Sequence, residues 1–321
     1  MVLSENGWTA EDMPALDGKK IIVTGANSGL GYEATEKFAE KGAHVVMACR
    51  SMERGREAKE EIEDKLNDCS LELSKLDLAS LDSVKDFAEE YKANNEKLHV
   101  LCNNAGIMAI PRQETEDGFE KHFGVNHLGH FALTAHLIDY LIETSGQTRV
   151  VTQSSALHKK GSMNFEDLMK EEKYDKNQAY ADSKLANLLF TFELDRKLQD
   201  ADVNTLSIAC HPGFSATNLQ STEENENSVF RKLGMKVLTK VLAQSADTGS
   251  LPMIYASVSE KAHGGDYIGP DGFMNMRGLP EHQEPSEEAG DKEVAEKLWE
   301  VSEELTGIDF ELEEYREWKE E

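Results

Sequence analysis

The sequence is poor in positive charge and in cysteine, and each shortage excludes classes of function. Its 321 residues hold 34 Lys and Arg against 61 Asp and Glu, which gives a formal net charge of -27. Such a surface repels nucleic acid and anionic lipid, so neither is expected as a partner. The cysteines form no C-x-x-C pair and the histidines do not cluster, so no metal site is predicted. The cysteines are Cys49, Cys69, Cys102 and Cys210.

Long apolar runs are also missing. No stretch approaches the roughly 20 apolar residues that span a bilayer, and the N-terminus lacks the segments of a signal peptide. We therefore expect a soluble cytoplasmic protein with free thiols and no membrane partner. The acidic excess indicates either general solubilisation or a host that lives in high salt, where a Debye length of roughly 3 Å at 1 M removes self-repulsion.

What the chain does contain is an alternation of short β-branched runs with helical patterns. The runs begin at Lys20, Ala43, Leu71, Leu98, Thr148 and Val203. Helices are predicted from Gly29, over 52–66, after Ser80, over about 116–143, and from the Tyr180 region to about 199. Continuous apolar strands are typical of a parallel sheet covered on both faces. The predicted fold is α/β: a single-domain, Rossmann-like, doubly wound parallel sheet of about seven strands with helices on both faces.

The first apolar run leads into a glycine-rich turn, Thr24-Gly25-Ala26-Asn27-Ser28-Gly29-Leu30-Gly31, which opens a helix. Glycines let the backbone approach a pyrophosphate, whose charge the amides at a helix N-terminus can meet. A turn of this kind can also be an ordinary connection, but its position after the first strand favours a dinucleotide. The predicted contacts are Gly25, Asn27, Ser28, Gly29, Leu30 and Gly31.

The spacing T-G-x-x-x-G-x-G resembles the short-chain dehydrogenase/reductase family, and further motifs follow in that family's order. They are Asn103-Asn104-Ala105-Gly106, Asn126, Ser155, Tyr180 with Lys184, and Pro212-Gly213 with Thr217. The resemblance implies a nicotinamide-dependent oxidoreductase with Asn126, Ser155, Tyr180 and Lys184 as catalytic residues. It also implies cofactor contacts from Asn104, Ala105, Gly106, Tyr180, Lys184, Pro212, Gly213 and Thr217.

The Tyr180 and Lys184 pair has a direct physical rationale. Their i, i+4 spacing places both side chains on one helical face. An ammonium beside a phenol favours the phenolate, which would bring a tyrosine pKa of about 10 nearer to neutrality. By the resemblance, Ser155 donates a hydrogen bond to the substrate oxygen and Asn126 holds a water beside Lys184. Ser154 is the rival for the serine role, although the family's catalytic serine is usually the second of such a pair.

The end of the second strand decides between NAD and NADP in this fold. An acid there binds the ribose 2′-OH, whereas an arginine pairs with a 2′-phosphate. The sequence has Cys49-Arg50-Ser51 at this point and no acid, so we predict NADP, with NAD less favoured and Arg50 at the phosphate. Arg50 could also be a simple surface residue, and Asn27 stands where many NADP users have a basic residue. Asp77 and Leu78 match the family's adenine contacts, although Asp77 could equally cap a helix.

Segments outside these motifs are similar to the retinol dehydrogenase and WW-domain oxidoreductase branch, over about 8–309. The substrate is therefore expected to be a small molecule, an apolar alcohol, aldehyde or ketone. Apolar residues at helical spacing within 214–243 suit either a lid over an apolar pocket or a simple cover for the sheet. Tyr180 follows Ser155 by 25 positions, about twice the usual gap, so 157–178 is predicted to be a loop bordering the site.

Three segments are predicted: an N-terminal extension over 1–18, an NAD(P)-binding Rossmann-like catalytic domain over 19–280, and an acidic helical extension over 281–321. A non-catalytic NADP-binding redox sensor or scaffold is the main alternative, which the complete catalytic set disfavours. A sugar-nucleotide epimerase is another, which the glycine spacing disfavours. Family members are often dimers, so a homodimer remains open.

Overall fold

A computed structural model describes residues 7–213, 245–272, 275–312 and 315. A single sheet runs through these residues. Its strands are β1 (Lys20–Thr24), β2 (His44–Cys49), β3 (Ser70–Lys75), β4 (Val100–Asn103), β5 (Thr148–Gln153), β6 (Thr205–Cys210), β7 (Tyr267–Pro270) and β8 (Pro280–His282). Their order is β3-β2-β1-β4-β5-β6-β7-β8. Neighbours are parallel as far as β7, and β8 is antiparallel to β7. The predicted Rossmann-like α/β fold is confirmed, with one strand more than expected.

The described helices include those predicted and one, over Ala246–Val258, that was not predicted. They are α1 (Gly29–Glu40), α2 (Met52–Lys65), α3 (Leu81–Asn94), α4 (Lys121–Phe123), α5 (Gly129–Glu143), α6 (Lys176–Asp200), α7 (Ala246–Val258) and α8 (Lys292–Thr306). The helix expected from about 116 begins only at Lys121, because Gly118 has a left-handed φ of 85° and Glu120 caps the helix through the Phe123 amide. Among the described helices, none combines the length and apolar character that a membrane crossing requires.

Both faces of the sheet are covered, as the apolar strands require. Ile21 faces one core, where it lies with Phe38 of α1 and Ile254 of α7. Its neighbour Ile22 faces the opposite core, which contains Phe87 of α3. Alternate residues of a strand point to opposite faces, so β1 supports both layers at once. Full burial of each such side chain contributes roughly 1.5 to 3 kcal/mol.

The C-terminal helix α8 packs against α6. Trp299 stacks on Phe190 of α6, with ring centroids 5.9 Å apart. Asp291 caps α8 by accepting hydrogen bonds from two first-turn amides, and Gly307 ends it with a left-handed φ of 67°. The helix is therefore fixed to the element that carries Tyr180.

Candidate active site

The carboxyl ends of the central strands open onto a cavity of about 570 Å³. It lies beside the point where the strand order reverses, between β1 and β4, which is where open α/β sheets bind ligands. The predicted residues that line it are Gly25, Asn27, Ser28, Gly29, Leu30, Arg50, Asp77, Leu78, Asn104, Ala105, Gly106, Tyr180, Lys184 and Pro212. Gly31, Gly213, Asn126 and Ser155 are not part of this lining, whereas Ser154 is. Thr217 and the predicted lid over 214–243 fall outside the described residues.

The glycine-rich turn forms one end of the cavity. Gly25 and Gly29 have positive φ values of 68° and 57°, which other residues rarely adopt. A Cβ on Gly31 would lie 2.5 Å from the Gly25 carbonyl oxygen and 2.6 Å from Asn104 Nδ2, so only glycine fits there. Ser28 precedes α1 without capping it through its side chain, and first-turn amides without such a cap favour an anion. This turn fits a pyrophosphate.

Thr24 joins the glycine-rich turn to the Asn104 turn. Its Oγ1 accepts hydrogen bonds from the Asn104 and Ala105 amides, each at 2.9 Å, while Asn104 Nδ2 donates to the Thr24 carbonyl at 2.7 Å. His130, which the motif search overlooked, lies behind them with Nε2 2.9 Å from Thr24 Oγ1 and Nδ1 3.1 Å from the Asn126 carbonyl oxygen. Burial lowers the pKa of His130 to about 4, so it is a neutral part of this framework. In the sequence, the spacing of four residues between Asn126 and His130 could have indicated that His130 lies beside the site.

The two adjacent serines point in different directions. Ser154 Oγ donates to the Lys184 backbone carbonyl at 2.7 Å, so its hydroxyl is used within the fold. Ser155 shares a side-chain hydrogen bond with Tyr180. Burial raises the pKa of Tyr180, and this hydrogen bond only partly opposes the rise. The geometry favours Ser155 over Ser154 as the partner of the tyrosine.

Lys184 is nearly inaccessible, at 4% exposure. Its Nζ donates to the Gln153 carbonyl at 2.9 Å and lies 5.9 Å from the centroid of the Tyr180 ring. Burial lowers the pKa of Lys184 to about 8. Burial of Tyr180 opposes the lowering of its pKa that is predicted from Lys184 and an oxidised nicotinamide, and that lowering stays a prediction.

Asn126 lies in a π-helical turn, Gly124–Leu128, and such turns often mark functional sites. Its side chain is fully buried and binds the Ile107 backbone twice, by accepting from the amide at 2.8 Å and donating to the carbonyl at 3.0 Å. A Cβ placed on Gly106 would lie 3.1 Å from Asn126 Oδ1 and 3.5 Å from Lys184 Nζ. Asn126 and Lys184 therefore flank Gly106, and the predicted water-holding role of Asn126 stays a prediction.

The end of the cavity that holds the glycine-rich turn, away from Tyr180 and Lys184, is basic. Arg50 and Arg54 both line it and both are exposed. Ser51 lies between them and caps α2 through the Arg54 amide. Arg54 was not among the predicted residues, although its i+4 spacing from Arg50 could have indicated it. Asp77 lines the cavity and accepts from the Ala79 amide at 3.0 Å. Ser80, not Asp77, caps α3, and the adenine contact of Asp77 stays a prediction.

Among the residues that the structure describes, no group of three or more metal-binding side chains could hold an ion. The predicted loop over 157–178 contains a short 3₁₀ helix, Ala156–Lys160, and is otherwise irregular up to α6. Tyr174, near its end, binds the backbone of Ile110, which lines the cavity. The insert therefore reaches the wall of the site.

The family described as short chain dehydrogenase matches residues 19–228. Retinol dehydrogenase 13 of Mus musculus is 38% identical over 303 residues, which cover 94% of this chain and 88% of that protein. Retinol dehydrogenase 12 of Homo sapiens is 37% identical over 296 residues, covering 92% and 89%.

Solved structures agree in fold. A crystal structure of an uncharacterised protein from Mycobacterium paratuberculosis is 38% identical, with a TM-score of 0.79 over 95% of this chain and 99% of that one. A short chain dehydrogenase from Shigella flexneri, solved in complex with NADP, has a TM-score of 0.61 at 19% identity and covers 80% of this chain and 98% of its own. At that identity the second likeness concerns the fold alone.

Proposed function

The chain belongs to the short chain dehydrogenase family, and from that premise we propose that it transfers hydride between NADP and an apolar alcohol or carbonyl compound, with Tyr180 as the acid/base. The family and the retinol dehydrogenase relatives support the coarser statement that it is an NAD(P)-dependent oxidoreductase of alcohols and carbonyls. The observation that carries the proposal is that Tyr180, with Ser155 hydrogen-bonded to it, and Lys184 lie at one end of a cavity whose other end is formed by the glycine-rich turn; Tyr180 and Lys184 line that cavity.

The cavity suits a nicotinamide dinucleotide on physical grounds. Its volume of about 570 Å³ lies within the range of small-molecule sites. The turn around Gly31 would hold the pyrophosphate, and the buried end with Lys184 would hold the nicotinamide ribose. When bound, the nicotinamide supplies or takes up the hydride.

The protein's own groups would handle the proton. In carbonyl reduction Tyr180 donates its hydroxyl proton to the substrate oxygen, and a phenol whose pKa burial raises carries that proton at neutral pH. Ser155 donates a hydrogen bond to the same oxygen and stabilises the negative charge that develops there. Lys184, with a pKa of about 8, can then return a proton towards Tyr180. In alcohol oxidation these proton transfers run in reverse.

The preference for NADP rests on charge at the basic end. Arg50 and Arg54 are cations that can pair with a 2′-phosphate, and the end of β2 carries no acid to repel it. The proposal of an apolar substrate is supported by Ile107, Met108 and Ile110, which line the cavity directly after Gly106. The names of the retinol dehydrogenase relatives make a retinoid one candidate.

The first experiment titrates the purified protein with NADPH and NADH, then tests decanal and all-trans-retinal for oxidation of NADPH. Turnover that prefers NADPH supports the proposal. Tight cofactor binding without turnover across aldehydes and ketones favours the redox-sensor alternative. Failure to bind either cofactor contradicts the proposal that the cavity holds a nicotinamide dinucleotide.

Three further expectations belong to the same proposal. We place the protein in the cytoplasm, as a catalytic domain over 19–280 with extensions over 1–18 and 281–321. A homodimer is the assembly that light scattering would test. The net charge of -27 suggests a high-salt host, and unfolding free energies that do not rise between low and molar salt would count against that origin.

A further inference from the structure

A buried polar cluster of Glu120, His122 and Tyr174 lies behind the catalytic end of the cavity. Glu120 is 1% exposed and His122 is fully buried. Glu120 Oε1 is 2.9 Å from His122 Nδ1 and accepts from the Tyr174 hydroxyl at 3.1 Å. Glu120 Oε2 accepts from the Phe123 amide at 2.9 Å. None of these groups has a part in the proposed proton transfer.

The hydrogen bonds define the protonation of the cluster. The Ile110 amide donates to His122 Nε2 at 3.3 Å, so the ring proton is on Nδ1 and is donated to Glu120. Burial alone would raise the pKa of Glu120, but hydrogen bonds from His122 and the Phe123 amide outweigh it and leave the pKa below its usual value. Burial and the Glu120 charge raise the pKa of Tyr174, so Tyr174 stays a donor.

The cluster holds Ile110 by both of its backbone groups. His122 Nε2 accepts from the amide. The Ile110 carbonyl oxygen and Glu120 Oε1 are each 3.1 Å from the Tyr174 hydroxyl oxygen and share its one proton. The preceding residue, Ala109, has a left-handed φ of 51°, which is uncommon for a residue with a side chain. A strained backbone of this kind persists only where its surroundings fix it. The cluster supplies that restraint.

The segment so fixed, residues 106–111, connects the catalytic groups to the cluster. It begins at Gly106, between Asn126 and Lys184, and its apolar side chains line the cavity. At its other end His122 faces Tyr180, with ring centroids 6.4 Å apart in an edge-on arrangement. A shift of Ile110 would therefore move the cavity wall relative to the Tyr180 hydroxyl.

We propose that Glu120, His122 and Tyr174 are positioning residues that fix the 106–111 wall beside Tyr180 and thereby select the apolar substrate. The inference rests on the proposed function, because the wall must face a substrate at Tyr180. It also assigns a role to the long insert before α6, which contributes Tyr174 to the cluster. An insert of ordinary length would leave the Ile110 carbonyl without this donor.

Tyr174→Phe tests the proposal, since it removes one hydroxyl and keeps the ring. The matched control is Tyr140→Phe, which removes a hydroxyl that donates to the Lys92 carbonyl at 3.0 Å, outside the cavity lining. We expect Tyr174→Phe to raise the KM for decanal about tenfold, the effect of losing one good hydrogen bond, with kcat and NADPH affinity within about twofold of wild type. A merely structural role would not produce this split between KM and kcat.

Hydrogen exchange provides a readout that needs neither turnover nor cofactor. In the cofactor-free protein the amides of residues 107–110 should exchange about tenfold faster in Tyr174→Phe than in wild type or Tyr140→Phe. Unchanged exchange overturns the inference, whatever the protein catalyses. Faster exchange with an unchanged KM for decanal also overturns it, because the wall would then not select substrate.

A binding measurement separates this inference from the proposed function. If wild type binds NADPH but shows no turnover, the catalytic proposal fails while decanol can still bind beside NADPH. Decanol affinity, followed by NADPH fluorescence, should then be about tenfold weaker in Tyr174→Phe. Equal decanol affinity in both proteins would overturn the role of the wall.

Discussion

The two ends of the cavity differ in the origin and the burial of the groups that form them. At the end proposed for the nucleotide, one contiguous turn, 24–31, presents backbone groups to the cavity, and the charged groups Arg50 and Arg54 are exposed in the loop before α2 and on α2. At the catalytic end, the groups come from distant elements and are buried, with Asn126 at 0% and Lys184 at 4% exposure. An exposed charge can change without cost to the fold, whereas a buried one is tied to its neighbours. Cofactor choice should therefore be easier to alter than chemistry.

The sharpest test of the catalytic end is Tyr180→Phe. Loss of a positioned acid/base should lower kcat by roughly 1,000-fold, within the 10²–10⁴ range of such groups. NADPH affinity should change by less than about twofold, because the ring remains in place. Steady-state kinetics and fluorescence titration measure the two quantities. A fall in kcat of less than tenfold would show that another group carries the proton.

The backbone of the nucleotide end is tested by Gly31→Ala. The added Cβ would lie 2.5 Å from the Gly25 carbonyl oxygen, so the turn must shift. We expect NADPH binding to weaken by roughly 100-fold, near the upper part of the 1–3 kcal/mol that overpacking costs. Gly290→Ala is the control, since a Cβ there meets no atom within 4 Å. Equal NADPH affinity in the two variants would mean that the turn does not hold the cofactor.

The difference between the two ends also explains which features can be predicted from the sequence. The turn at 24–31, the order of the motifs and the fold depend on local spacing and on apolar runs, so the sequence predicts them. The strand β8 escaped prediction because it has three residues and begins with proline. The helix start near 116 was placed too early because a left-handed glycine and a capping glutamate decide it.

At the catalytic end the missing information is tertiary. Spacing places Tyr180 and Lys184 on one helical face, but only the packed structure shows that burial controls both pKa values. Adjacent serines look equivalent until Ser154 is seen to donate to the α6 backbone. Glu120 and His122 fall inside the helix predicted over about 116–143, and Tyr174, which completes their cluster, lies some 50 residues away.

Burial of Lys184 predicts a pH effect on stability. Its pKa is 10.5 in the unfolded chain and about 8 in the fold, so between these values the unfolded state binds more protons. Stability from this group therefore rises with pH, by about 2 kcal/mol between pH 8 and pH 10. Buried thiols act in the opposite sense, because burial raises the pKa of Cys49 to about 11 and of Cys102 to about 12.

The difference between wild type and Lys184→Met isolates that contribution. Urea unfolding at pH 8, 9 and 10 should give a free energy of unfolding that rises relative to the variant by about 2 kcal/mol over the range. The thiols are common to both proteins and cancel. If the free energies of unfolding of the two proteins changed in parallel with pH, Lys184 would not lie in a low-dielectric site. The description of the catalytic end as buried would then be contradicted.

The smallest effect is expected at the exposed basic end, from Arg50→Ala. An exposed arginine on a phosphate contributes little more than a surface ion pair, so NADPH affinity should fall about tenfold while NADH affinity stays within about twofold. Arg56→Ala, on the helix α2 that follows Arg50, is the control, because Arg56 is exposed but does not line the cavity. Molar salt should shrink the NADPH effect by screening, whereas it should leave the Tyr180→Phe effect intact. Equal losses for NADPH and NADH would place Arg50 elsewhere than at the 2′-phosphate, and the basic end would then no longer explain cofactor choice.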